Sequence, residues 1–477
     1  MIIIVLGLPM LLGLFFLSLL MRKQASSYSI WEKLALSFAI GLGVLTIIMY
    51  LLALIEIPLS LPIITIAITI VIGLISIWLL SIKTFCLTVD EIKSAFNLQG
   101  PKPTWPEIIL LVIIGLKVVF AFFTALVKPV IDVDAFHFYS IVAKGIFYTG
   151  KIFDPYLAQF MGDKPPFPFI AQGWAFIGLG SINDAHFKIL PPVMFLSLLI
   201  IFYSALKRAF PRWCSLLFTF MLSSLSFMLY HVGTAYSDFP MTFYFSIGTI
   251  YLYLFMKEQA NNNKEKSLTD LFIAVSLLGI AVWVKRAGLI LVGADILMLF
   301  GFLFVAKRSY SANDWRKIGI ALSIFLLITL PWLSQGQIGT FVRILGSLTG
   351  LTAETALPTT AAVQASSVNG KTGTIAAIFM KKLFLYGDWQ LSWALFVVTL
   401  IFFYKRALKP PLSYLLAIIV ISVMSIIVQF GSNNMFPWLL DGTLSDRLIM
   451  NVMPLVIFYC AEAIIPSLTA NSSAAEQ

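Results

Sequence analysis

Apolar runs of about 20 residues recur along this chain, separated by polar stretches rich in lysine and arginine. A run of that length lets an α-helix cross the hydrocarbon of a bilayer. They fall near 2–21, 34–55, 59–82, 108–127, 187–206, 213–231, 239–256, 268–284, 287–305, 317–333, 389–404, 412–430 and 448–466, which predicts about thirteen spans. The Phe167–Gly180 stretch is also apolar but short, and opens on prolines; it reads as re-entrant or interfacial. The expected fold is all-α and polytopic. One transmembrane domain fills 1–470, with N-terminal spans in 1–105, a core in 106–333, C-terminal spans in 389–466 and a disordered tail at 471–477.

Loop charge then sets the sidedness. Placing the N-terminus outside puts Arg22, Lys23 and Lys33 in inner loops, together with Lys207, Arg208, Arg212, Lys257, Lys264, Lys266, Lys405, Arg406 and Lys409. Short loops rich in Lys and Arg mark the cytoplasmic side. The outer turn Glu56-Ile57-Pro58 carries none. Two long segments, 128–186 and 334–388, lie outside in this arrangement, with a shorter one at 431–447. Long loops are where function concentrates. In the first, Phe138, Ile141, Val142 and Ile146 recur at helical spacing and predict an amphipathic helix at the membrane surface. Pro165, Pro166 and Pro168 predict an extended stretch after it.

Composition agrees: the chain is 60% hydrophobic and 11% charged, with mean hydropathy +0.96. The net charge of +10 resides mainly in loops and forms no basic stripe, so nucleic acid is excluded as a partner. Cys86, Cys214 and Cys460 have neither metal-ligand spacing nor the pattern of a disulfide framework. The opening MIIIVLGLPMLLGLFFLSLL lacks a basic leader region and reads as a retained span.

Charged residues at span ends carry the candidate chemistry. Asp132 and Asp134 follow the fourth span, and Asp163-Lys164-Pro165-Pro166 comes later in the same loop. His231 ends the sixth span, Asp238 opens the seventh, Lys285-Arg286 ends the eighth and Arg447 opens the last. The predicted topology places them all at one level. Such a set can hold a phosphate with cations while keeping a carboxylate for proton transfer. Plainer roles exist for each. Asp132 or Asp134 suits a helix cap, and so does Asp238, with Pro240 in the first turn. His231 suits an interfacial polar residue, Lys285-Arg286 a tight turn, and Arg447 a surface pair with Asp446. Lys117 and Asp295 fall in mid-span, where an unpaired charge costs several kcal/mol, and are expected to pair and fix helix register. Trp174, Trp332, Trp389 and Trp393 suit sugar stacking or, more simply, an interfacial belt.

The order Asp134-Ala135, Phe138-Tyr139, Ala143-Lys144, Gly150, then Asp163-Lys164-Pro165-Pro166, resembles the first outer loop of GT-C glycosyltransferases. These include aminoarabinose transferases and protein O-mannosyltransferases. Ala235-Tyr236-Ser237-Asp238, Lys285-Arg286-Ala287-Gly288, Arg447 and Pro454 are similar in kind to later features of that family. This chain has Asp134-Ala135 where the family often has Asp-Glu, and several spans precede the acid where many members have one.

The resemblance implies transfer of a sugar from a polyprenyl-phosphate donor to an extracytoplasmic lipid, glycan or protein, with inversion. Asp134 would be the base, with Asp132 beside it. Lys285, Arg286 and Arg447 would hold the donor phosphate. Asp238, Asp163, Lys164 and His231 would orient the acceptor or hold a divalent cation, magnesium or manganese, to which Asp132 also suits. A bacterial cytoplasmic membrane, with the site facing outward, is the expected location. The alternatives are a transporter or flippase of lipid-linked sugars, and a surface-glycan ligase or polymerase. Acids gathered at one face and the lack of an internal repeat argue against transport.

Overall fold

The computed structural model describes residues 1–82, 85–87, 91, 102–162, 164–261, 263–306, 310–334, 361–431 and 435–475, and is helical with no strand among them. Ten helices are long and apolar enough to cross a membrane, from Ile2–Met21 to Leu412–Gln429. An eleventh span results if Arg212–Ser223 and Ser226–Val232, bent by 69°, count as one. The expected spans near 389–404 and 448–466 fall on shorter apolar helices, Ser392–Phe402 and Met453–Pro466, so length alone does not reach thirteen. The protein is a multi-pass membrane protein.

Close backbone approach joins the first two helices. A Cβ on Gly13 would lie 1.7 Å from the Ser37 carbonyl oxygen, and one on Gly41 1.8 Å from that of Pro9. Without water to drive helices together, such small-residue crossings supply the dispersion contact that holds spans in register.

The first long loop is helical. Ala135–Tyr139 forms a π-helical turn that runs into Ser140–Thr149. Gly150 ends it at φ 66°, a left-handed conformation that favours glycine. Val142 and Ile146 are buried while Tyr148 is exposed, as the amphipathic pattern requires. That buried face packs on the Phe167–Leu179 helix. The latter is apolar nearly all round, so it is buried, with Trp174 Nε1 donating to the Val5 carbonyl at 3.0 Å. The extended stretch expected at the prolines is not found. Pro166 already has helical dihedrals and Pro168 sits in the first turn, where no intrahelical bond is lost.

The Asp238–Ala260 helix is the buried centre of the bundle and packs most closely on Lys264–Val284. Asp238 begins it and Lys257 lies near its far end, about 30 Å away at 1.5 Å per residue. Ion pairs gather at both ends. At the Lys257 end, Arg208 meets Glu32 at 2.7 Å and Asp270 at 3.2 Å, and Tyr28 and Tyr251 donate to those acids. Lys257 meets Glu462 at 2.7 Å, Arg212 meets Glu107 at 2.7 Å, and Gln24 donates to Glu265 at 2.9 Å. Loops assigned by charge to one side therefore do share one end. The expectation that acids gather at a single face is corrected. Glu32, Asp270, Glu107 and Glu462 neutralise the basic end, because cations packed between helices need counter-ions.

The expected Lys117–Asp295 pair is also corrected. Lys117 Nζ donates to Ser224 Oγ and lies 4.8 Å from the centre of the Phe220 ring. Asp295 instead accepts from Thr249 Oγ1 at 3.2 Å. Each group meets a hydroxyl from another segment rather than the other charge, and Asp295 Oδ1 is left without a hydrogen-bond partner among the described residues.

Candidate active site

Four distant segments converge at the Asp238 end. Asp238 follows the N-cap residue Ser237 and is fully buried. Burial without partners would expel so small an anion, and two cations prevent this. The Lys264–Val284 helix stops at Lys285, whose backbone is extended, and Lys285 Nζ bonds Asp238 Oδ1. Arg447, from the short Ser445–Met450 helix, places Nε at 3.0 Å and Nη2 at 2.7 Å from Asp238 Oδ2. Its third nitrogen, Nη1, lies 2.7 Å from Asp134 Oδ2. The guanidinium thus bridges a buried acid and an exposed one, and it stacks 4.5 Å from the centre of the Tyr236 ring. Burial works against its charge, but Asp238 and then Asp134 outweigh that, and the pKa of Arg447 is raised.

Asp134 is 35% exposed and stands at the mouth of this group. It caps no helix, since its side chain makes no cap bond. Asp132 Oδ1 accepts from the Tyr230 hydroxyl at 2.7 Å. Lys164 lies 4.1 Å from the centre of the Phe138 ring. Burial lowers its pKa, and the charge of Asp134 opposes that shift. His231 is buried, with Nδ1 3.0 Å from the Phe227 carbonyl oxygen and its ring against Tyr236. Asp163 lies outside the described residues.

Asp134, Asp238, Lys285 and Arg447 are therefore joined directly, and Lys164, His231 and Asp132 surround them. Arg286 makes no ion pair with Asp134 or Asp238 among the described residues, and burial lowers its pKa. Lys285 and Arg447, read as phosphate ligands, hold Asp238 here, so a phosphate would have to share them with that carboxylate. The surface pair of Arg447 with Asp446 does not form; Lys382 takes Asp446 instead. Burial raises the Asp446 pKa, with Lys382 pulling the other way.

A divalent cation does not fit the described residues. Both oxygens of Asp238 are committed to cations, Asp134 Oδ2 is held by Arg447, and no three His, Cys, Asp or Glu side chains gather as a metal set.

The contacts made by three residues, Tyr236, Tyr139 and Lys382, were not legible in the sequence. Tyr236 lies two residues before Asp238 and supplies the face on which Arg447 stacks. Tyr139 shares a 2.7 Å hydrogen bond with Ser237 Oγ and so ties the first loop to the start of the Asp238 helix. Their places beside the two acids were the available signal. Lys382 had none, because its partner comes from another loop.

Neither family models nor curated proteins give a match. Among solved structures, the chain is similar to the archaeal oligosaccharyltransferase AglB from Archaeoglobus fulgidus, in complex with an inhibitory peptide and a dolichol-phosphate. The TM-score is 0.43 and the identity 13%, over 78% of this chain and 52% of that one. The chain thus spans about half the length of that protein. The geometry of the Asp238 end carries the functional conclusion.

Proposed function

We propose that this protein is a GT-C-type membrane glycosyltransferase that moves a sugar from a polyprenyl-phosphate donor to a hydroxyl-bearing acceptor. One observation carries the reading: a partly exposed carboxylate, Asp134, is held by a guanidinium that is itself anchored on a buried acid, Asp238. A base and phosphate-binding cations must be neighbours for this chemistry, yet must not neutralise each other completely. Asp238 meets that need by absorbing part of the charge of Lys285 and Arg447.

In the reaction, the acceptor O–H gives its proton to Asp134 as the oxygen bonds the anomeric carbon. The bond from that carbon to the phosphate oxygen breaks, and polyprenyl phosphate leaves. A single displacement inverts the carbon. Arg447 and Lys285 stabilise the charge that grows on the leaving phosphate, with Lys164 beside Asp134. The acceptor is a lipid, glycan or protein outside the cytoplasm, and the setting a bacterial cytoplasmic membrane.

Reconstituted protein given polyprenyl-phosphate hexoses or pentoses, with envelope lipids and glycans, tests this. Release of polyprenyl phosphate that depends on both acceptor and Asp134 is expected. A second reading, transport of lipid-linked sugars, draws on charged groups at three depths: Asp238, Asp295 and the Lys257 end. Movement of intact donor across vesicles, with no phosphate release, would replace the transferase reading by that one.

A further inference from the structure

Lys188 is 2% exposed, and its ammonium bonds two backbone carbonyls, those of Lys128 at 2.5 Å and Gly233 at 3.2 Å. Those carbonyls end two helices. Lys128 is the C-cap of Trp105–Val127, and Gly233 the C-cap of Ser226–Val232. A helix C-terminus presents unpaired carbonyls and partial negative charge, which a buried cation satisfies. The segments that leave these caps are the ones that carry the acids. From Lys128 the chain runs to Asp132 and Asp134, and from Gly233 to Asp238.

Two further ties join these parts of the chain. Tyr230 donates to Asp132, and Arg447 joins Asp134 to Asp238. Lys188 therefore closes the base of a frame whose top is Arg447. The two cations do different things: Arg447 neutralises carboxylates, whereas Lys188 fixes main chain.

We propose that Lys188 is a positioning residue, which sets the separation of Asp134 from Asp238 by clamping the two helix ends that lead to them. Its effect on turnover rests on the transferase reading; the clamp itself does not. A base misplaced by about 1 Å loses on the order of a hundredfold in rate, so a residue remote from substrate gains leverage over kcat.

Hydrogen exchange of the full-length protein in lipid nanodiscs tests the clamp without substrate. In Lys188→Met, amides of 128–139 and 233–238 should both exchange about tenfold faster or more, while the helices around Arg208 stay unchanged. Lys188→Arg, which keeps a charged donor, should recover most of the protection. Exchange that rises in neither segment, or in one alone, overturns the clamp, and so does equal loss in the Arg and Met variants. If Met proves too unstable to purify, the Arg and Gln variants give the same ordering. With a polyprenyl-phosphate glucose as donor, Lys188→Met should lower kcat about a hundredfold with donor KM within about twofold. A raised KM at unchanged kcat overturns the positioning role. Lack of turnover by the unmodified protein with every polyprenyl-phosphate hexose and pentose removes the transferase reading and leaves exchange to decide the clamp.

Discussion

Arg447 Nη1 lies 2.7 Å from Asp134 Oδ2, while the same guanidinium holds the fully buried Asp238. The link runs from the first long loop to the last third of the chain. It converts two acids of opposite exposure into one electrostatic unit. The partly exposed acid stands at the mouth of the site, and the buried one sets how much positive charge the site presents.

Asp134→Asn removes the base and leaves its shape. Transfer should fall by about a hundredfold or more while the protein still elutes as a folded species. Full activity in that variant would take Asp134 out of the mechanism.

Asp238→Ala leaves Lys285 and Arg447 facing each other without their shared anion. Breaking a buried pair in this way costs about 3–5 kcal/mol, so thermal unfolding in detergent should move down sharply. Asp238→Asn retains the shape but not the charge and should fall between. An unchanged melting curve for the Ala variant would contradict the burial and pairing described.

Lys285→Ala should weaken use of the donor more than use of the acceptor. Initial rates over a matrix of both substrates separate the two. Equal effects on both KM values would argue against a phosphate-directed role.

At the opposite end, Arg208 is a structural cation. Arg208→Met should destabilise by about 3–5 kcal/mol by stranding Glu32 and Asp270. Adding Glu32→Gln and Asp270→Asn should restore much of that, with specific activity unaltered throughout. A drop in specific activity in the rescued triple variant would place this network in the reaction.

Gly41→Val would drive a side chain into the Pro9 carbonyl, with an expected loss of about 1–3 kcal/mol or more. Gly73→Ala, where nothing lies within 4 Å of the new Cβ, is the matched control and should be near neutral. Equal melting temperatures for the two would rule out the close crossing of the first two helices.

The sequence by itself determined that most of this chain is apolar helix, and where most long helices run. Both follow from local sums over about 20 residues, which need no partner. It also brought Asp134, Asp238, Lys285 and Arg447 to one end, because loop charge orients each span separately. It named the first-loop helix, again from local periodicity. Tertiary structure decided which charge meets which. Hydropathy carries no information on neighbours, so Lys117 and Asp295, alike in depth, found Ser224 and Thr249 rather than each other. The same holds for Arg208 with Glu32, and for Lys382 with Asp446. Pairing across the chain is fixed by how helices pack, and packing is settled by contacts such as Gly13 on Ser37, which no window of sequence contains.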